Sequence, residues 1–241
     1  EPTHFKEDRV LLGARLVAEG GFNPSNSATF TPVTDRVKKI AVWTPVTMEA
    51  LQDIPQIQAY IRDLHLYDVK LKEESQILKG DNTGENLHGI FTQATAYDSA
   101  GLAAAGDTNI DTIRRAIYQV RKQSKRSADA TLLTELDWMN VELEKDANNK
   151  YLFANLQGLV TSLLWGRPVV TTDSLDDAAH EFMVGSFAQG ARVYDRMSYT
   201  VRVGMINDDF IRNQSVVLAE ERLGLGVHRP QCFTKGALAA P

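Results

Sequence analysis

The amino-acid sequence predicts an α+β fold on three observations. Helical and strand-like segments are grouped along the chain rather than alternating as βαβ units. A helix of about 23 residues, roughly 35 Å long, follows Pro55, more than a domain of this size needs inside a compact core. A solitary hairpin precedes it. The 241 residues allow one large domain or two modest ones, and 43% hydrophobic content supports a sizeable core. A net charge of −5 argues against tight, charge-driven nucleic-acid binding by the chain as a whole, although a basic patch fits within an acidic total. Cys232 is the only cysteine, so there is no intrachain disulfide and no cysteine metal cage, which fits a reducing compartment. No apolar run approaches the ~18–20 residues of a membrane span. No signal peptide is read in the sequence, and the chain starts at Glu1 rather than Met, so the expectation is that either a segment was removed upstream or the start lies outside this sequence.

Residues 1–36 read as an exposed extension. The turn-forming run Glu19–Ser27 lies between strand-like Arg15–Ala18 and Ala28–Thr31, which predicts the hairpin. Few large apolar residues are available to bury it. It is either a loose terminus or an arm stabilised on a neighbouring subunit. Val37–Trp43 reads as a strand, and Thr47 can cap a short helix, Met48–Asp53. Pro55 suits the first turn of the long helix and Gly80 its end. Between them Ile57, Ile61, Leu64, Leu71 and Leu78 recur at helical spacing, with Tyr60, Tyr67 and Ile77 beside them. Gly80–Gly89 lacks both the Lys-Ser/Thr of a phosphate loop and GxGxxG spacing, so it reads as a linker. Asp107 or Thr108 can cap a helix through about Ser124 that carries Ile110, Ile113, Ile117 and Val120 on one face. Its basic end, residues 121–126, reads as a solvated helix terminus rather than a nucleic-acid patch. Ala130–Leu133 is a buried-type strand, and Thr134 caps a helix to about Lys145. Strands are predicted at Arg167–Thr172, Glu181–Gly185, Ala191–Tyr194, Met197–Val203 and Gln214–Val227, with Gln231–Ala237 closing the sheet.

A search for catalytic chemistry is mostly negative. His4, His65, His88, His180 and His228 are isolated, with no HExxH or His-x-His pair. Ser186 has no GxSxG elbow. Asp173, Asp176, Asp177 and Glu181 fall in a solvated loop, and Asp208-Asp209 lacks the rest of a calcium loop. No cofactor or metal site is expected.

Five stretches, in order, carry a resemblance. They are residues 38–43 (KKIAVW) leading into 47–54, residues 71–74 (LKEE) through 80–87 (GDNTGENL), residues 116–120 (AIYQV), residues 164–170 (LWGRPVV), and 220–223 (EERL) with 228–230 (HRP). Together they are collinear from about Phe5 to Gly236 with the major capsid proteins of tailed double-stranded-DNA phages, the Hong Kong phage (HK-ninety-seven) family, and resemble its type member closely. The resemblance implies that residues 1–40 hold an N-terminal remnant and the extended E-loop hairpin. Residues 41–88 would be the first part of the P-domain with its spine helix, and 89–195 the A-domain. Residues 196–227 would return to the P-domain, and 228–241 would be a C-terminal strand back at the A-domain. It implies a homo-oligomer of pentamers and hexamers forming an icosahedral shell around double-stranded DNA. Portal, scaffold, protease or cement proteins would be partners, with no membrane involved, and assembly would occur in the bacterial host cytoplasm.

Two departures from the family pattern stand out. Family members carry an N-terminal arm, often with a scaffolding segment before it, so part of the protein is expected to lie outside this sequence. The type member also joins its subunits through an E-loop lysine that attacks a neighbour's asparagine, with a glutamate in an apolar pocket as base. By position the asparagine is Asn213, the glutamate Glu220 and the apolar neighbours Val17, Met197 and Leu218, but the lysine position holds Asn23. No lysine occurs between Glu7 and Val37. Asn213 and Glu220 are therefore expected to be polar residues at a subunit contact, with no catalytic role. Competing readings are an encapsulin-type nanocompartment shell and an enzyme with an unrecognised site.

Overall fold

The computed structural model describes residues 3–7, 14–25, 30–53, 55–104, 106–145, 149–151 and 162–239. The chain divides into two compact units, residues 1–2, 35–89 and 193–226 in one, and residues 3–34, 90–192 and 227–241 in the other.

The first unit holds a three-stranded sheet in the order Lys38–Thr47, Gln214–Val227, Ala191–Gly204. The expected strand at Val37–Trp43 continues to Thr47, through Pro45. Proline is tolerated because this strand is at the sheet edge; Pro45 lies opposite Val216. The two strands expected at Ala191–Tyr194 and Met197–Val203 are one, since Asp195-Arg196 interrupts the apolar alternation without turning the backbone. The central strand carries charge into buried positions. Glu221 there bonds Lys70 at 3.1 Å, and the Glu73 hydrogen bond, opposed by burial and helped by Glu221, holds Lys70 above the ordinary lysine value.

Thr47 caps Met48–Asp53 through the Ala50 N–H. The long helix runs Pro55–Lys79, 25 residues. The apolar spacing is borne out at its ends, where Ile57 is half-buried and Leu78 is in the core, but along the middle of the helix the buried face is the reverse of what that spacing suggests. His65 and Val69 are buried, Ile61 is half-buried, and Tyr60, Leu64, Tyr67 and Leu71 are exposed. The inner face is made acceptable by hydrogen bonds, His65 Nε2 with Thr44 Oγ1 at 2.8 Å and Gln76 Oε1 with the Leu87 N–H at 3.0 Å. Gly80 ends the helix for lack of room rather than by left-handed geometry, because a Cβ there would strike the Leu87 and Gln76 carbonyls. In the following loop the Asp81 carboxylate accepts from the Thr83 hydroxyl and N–H and from Asn86, which lowers its pKa to about 2.

The second unit is built on a six-stranded sheet. Its order is Thr95–Ala96, Phe233–Ala237, Glu181–Gly185, Ala130–Leu133, Arg167–Thr171, Leu163–Leu164. Ala130–Leu133 and Arg167–Thr171 are parallel neighbours with the helix Glu135–Glu142 between them in sequence, one βαβ connection that the segregated pattern hid. That helix ends at Glu142, short of Lys145. The helix Asn109–Ser124 opens on a reciprocal cap between Thr108 and Asp111. It buries Ile113, Ala116, Ile117 and Val120 in one core with Leu133, Trp138, Phe182 and Val184. Gly185 leaves room for the Phe233 ring, which a Cβ would strike. The last strand starts at Phe233, after a 3-10 turn at Pro230–Cys232.

The hairpin's ladder pairs Thr3–Glu7 with Phe30–Thr34 in antiparallel register. Arg15–Ala18 is not a strand. Its side chains have no face to pack on, and strand propensity without packing does not hold a strand. Ala28 and Thr29 lie outside the described residues.

Candidate subunit-contact site

At the hairpin tip a tight turn forms around Gly20 (φ +77°), with the Gly21 N–H donating to Ala18 O at 2.9 Å. It holds Leu16 fully in solvent and Phe22 97% exposed. Asn23 stands beside them, also exposed. Val17 is only partly covered.

A second turn joins Ala191–Gly204 to Gln214–Val227. The Asp209 carboxylate accepts from the Ile206 N–H and its carbonyl from the Gln214 N–H, both at 2.9 Å. This scaffold projects Phe210 (77% exposed) and Ile211 (82%). Asn213 follows in the left-handed region (φ +52°), with its carbonyl accepting from the Met48 N–H and its side chain exposed.

Glu220 is buried on the central strand opposite Ala41. Its carboxylate lies 3.8 Å from Lys39 Nζ and 3.5 Å from Arg202 Nη2. Leu218 and Met197 are half-buried in the same unit. Seven residues at ~3.3 Å each separate Asn213 from Glu220 by about 23 Å, so one chain does not bring the carboxamide and the glutamate together. Lys38, on the strand Lys38–Thr47, is engaged elsewhere, donating to Gly84 O at 2.7 Å and to Glu85 at 3.2 Å. The tip thus offers apolar surface and a carboxamide, and no amine.

Of the acids predicted to lie in a solvated loop, Asp173 is exposed, whereas Glu181 is half-buried at the start of the strand Glu181–Gly185. Asp176 and Asp177 are also exposed, and Glu181 bonds the Asp176 N–H. Among the described residues no cluster of potential metal ligands occurs, and no helix is long and apolar enough to cross a membrane. Two features were not found from the sequence. One is the buried Asp137–His180 contact of 2.6 Å, with Thr134 donating to the same carboxylate; its partners are 43 residues apart and show no local pattern. The other is the outward stripe Tyr60, Leu64, Tyr67, Leu71. A helical projection places these four on one face and Ile61, His65 and Val69 on the other, but only packing decides which face is inside.

The two-unit α+β chain thus carries an exposed apolar hairpin tip and a long helix that shows an aromatic side to solvent. The phage capsid family model matches residues 5–238, and the chain belongs to that family. It is 40% identical over 238 residues to the major capsid protein of Enterobacteria phage HK97, covering 98% of this chain and 61% of that protein's length. Similar solved structures include the capsid of a native GTA particle computed with C5 symmetry (TM-score 0.76, 16% identity, 99% of this chain and 84% of that one). A chain from Gordonia phage Cozz has a TM-score of 0.74 at 15% identity, over 100% of this chain and 81% of that one. At such identities the structural likeness establishes the HK97-like capsid fold.

Proposed function

We propose that the chain is the shell-forming part of a major capsid protein, assembling as pentamers and hexamers into an icosahedral shell that encloses phage double-stranded DNA. The observation that carries this reading is the long helix, whose apolar stripe Tyr60, Leu64, Tyr67, Leu71 faces away from its own unit. Residues 1–40 act as the E-loop, 41–88 and 196–227 as the P-domain, and 89–195 with 228–241 as the A-domain. Portal, scaffold, protease and cement proteins are the partners such a shell implies, and assembly belongs to the host cytoplasm. The phage relatives weigh against a cellular nanocompartment, and no residue is assigned a catalytic role. Asn213 and Glu220 are contact residues in a shell without E-loop crosslinks. The Asn23 amide nitrogen is delocalised and cannot attack the Asn213 carboxamide, and Lys38 is already bonded.

Negative-stain microscopy of the purified chain should show closed particles. Boiling those particles in detergent should release a single band near 26.7 kDa. A covalent ladder, or a lysine–Asn213 linkage formed with loss of ammonia, would overturn the non-covalent reading.

A further inference from the structure

Residues 109–126 carry six cations against one carboxylate in a chain of net charge −5. Arg115 is taken by Asp107 at 2.8 Å. The others do not scatter around the helix. At 100° per residue Arg114, Tyr118, Arg121 and Lys122 fall on one face of Asn109–Ser124, opposite the buried Ile113, Ala116 and Val120. Lys125, which ends the helix in left-handed geometry (φ +58°), and Arg126 continue the run. All are exposed, and among the described residues none has an ion-pair partner. The carboxylates nearest in sequence are occupied by backbone N–H groups. Asp111 receives Thr108 in the helix cap, and Asp129 receives Phe187 and Ala188.

Aromatic surface lines the same face. Tyr118 is half exposed. Trp165 is presented by a two-residue turn in which it and Gly166 both have positive φ (+54° and +72°). Its indole N–H reaches Ile110 O, and Arg114 lies 5.8 Å from the ring centroid. From Arg114 to Lys125 the run spans roughly 16 Å at 1.5 Å per residue. A DNA duplex presents a charge about every 1.7 Å of its axis, so the run matches several phosphates. Two of the four cations on this face, Arg114 and Arg121, are arginines, whose planar forks suit phosphate oxygens. A mere solvated helix end accounts for Lys122 and Lys125. It does not account for Arg114, eleven residues before Lys125 on the same face, or for Trp165 held beside it.

We propose that this helix face, Arg114, Tyr118, Arg121, Lys122 and Lys125 with Trp165, is a sequence-independent docking surface for a nucleic-acid phosphate backbone. It does not depend on shell formation, so the test uses dispersed subunits. Fluorescence anisotropy would follow a labelled random-sequence DNA duplex across a salt series, with poly-glutamate titrated in parallel. With about four phosphates neutralised, log K should fall against log[salt] with a slope of about −3 to −4. Arg121→Glu/Lys122→Glu should weaken binding at least about tenfold and make the slope shallower by about 2. Arg121→Gln/Lys122→Gln should give a smaller loss in the same direction. Arg62→Glu/Lys72→Glu, equal in charge change on another helix, should leave binding within about twofold of wild type after the overall charge effect is allowed for. Circular dichroism of each variant checks folding. Absence of salt-dependent duplex binding, equal losses in both charge-reversal variants, or tighter binding of poly-glutamate than of DNA would overturn the proposal, the last in favour of an acidic protein partner.

Discussion

The two longest helices solve opposite problems. Asn109–Ser124 turns Ile113, Ala116, Ile117 and Val120 inward and its cations outward, so its apolar face is completed by its own sheet. Pro55–Lys79 turns His65, Val69 and Gln76 towards its own unit and leaves Tyr60, Leu64, Tyr67 and Leu71 in solvent. The first helix is finished within one chain. The second has hydrogen bonds inside and unspent apolar surface outside, which is the arrangement expected of an element whose burial is completed by other copies. The same contrast separates the six-stranded sheet's core from the hairpin tip and from the turn at Phe210 and Ile211. Stability of the subunit and stability of the assembly therefore reside in different residues, and substitutions should separate them.

The largest effect on the isolated subunit is expected at the finished helix. Ile113→Ala removes a fully buried side chain from the common core and should cost about 2–5 kcal/mol in denaturant unfolding. A loss below about 1 kcal/mol would mean that this core is loosely packed. At the long helix the inner face should respond through hydrogen bonding. Thr44→Val keeps the shape but takes away the hydroxyl that His65 Nε2 uses, and His65 Nδ1 is already buried without a partner among the described residues. The expected cost is about 1–3 kcal/mol.

Acid should act locally. Asp81 titrates at about 2 in the folded chain against an ordinary 3.8. Its depressed value means that the carboxylate stabilises the loop fully above pH ~4 and that this contribution is lost as pH falls towards about 2. Amide exchange at Asn82–Leu87 should rise across that interval, while the Asn109–Ser124 amides stay protected; uniform exchange throughout would place the acid sensitivity elsewhere.

Some of this was legible in the sequence. Pro55, the apolar period and Gly80 bracket the long helix, Thr108 and Thr134 mark their caps, and the alternation of Leu223, Leu225 and Val227 with glycine marks the end of the longest central strand. What the sequence could not supply is which side of an amphipathic helix faces home. Periodicity places Leu64 and Leu71 on one face, and an apolar face is ordinarily the inner one, whereas here Thr44, 21 residues away in sequence, makes the His65 side acceptable. The hairpin was legible as a turn around Gly20-Gly21, but its strands lie at the base, where Thr3–Glu7 and Phe30–Thr34 find each other across a long loop. Of the proposed contact residues, Asn23, Asn213 and Glu220 could be placed only by resemblance. The cations around Glu220, Lys39 and Arg202, come from the two neighbouring strands, a register that local spacing does not encode.

The outward apolar surface is proposed to be assembly surface, and substitution there should leave the subunit itself intact. Leu64→Lys/Tyr67→Lys should change subunit unfolding by less than about 0.5 kcal/mol, since both side chains are exposed. Sedimentation velocity of wild type and this variant at matched concentrations is the direct measurement. Wild type should form megadalton particles and the variant free subunits or small oligomers near multiples of 26.7 kDa, with equal thermal transitions in the dispersed chains. Wild type remaining a monomer at every concentration, or the variant assembling as well as wild type, would contradict it.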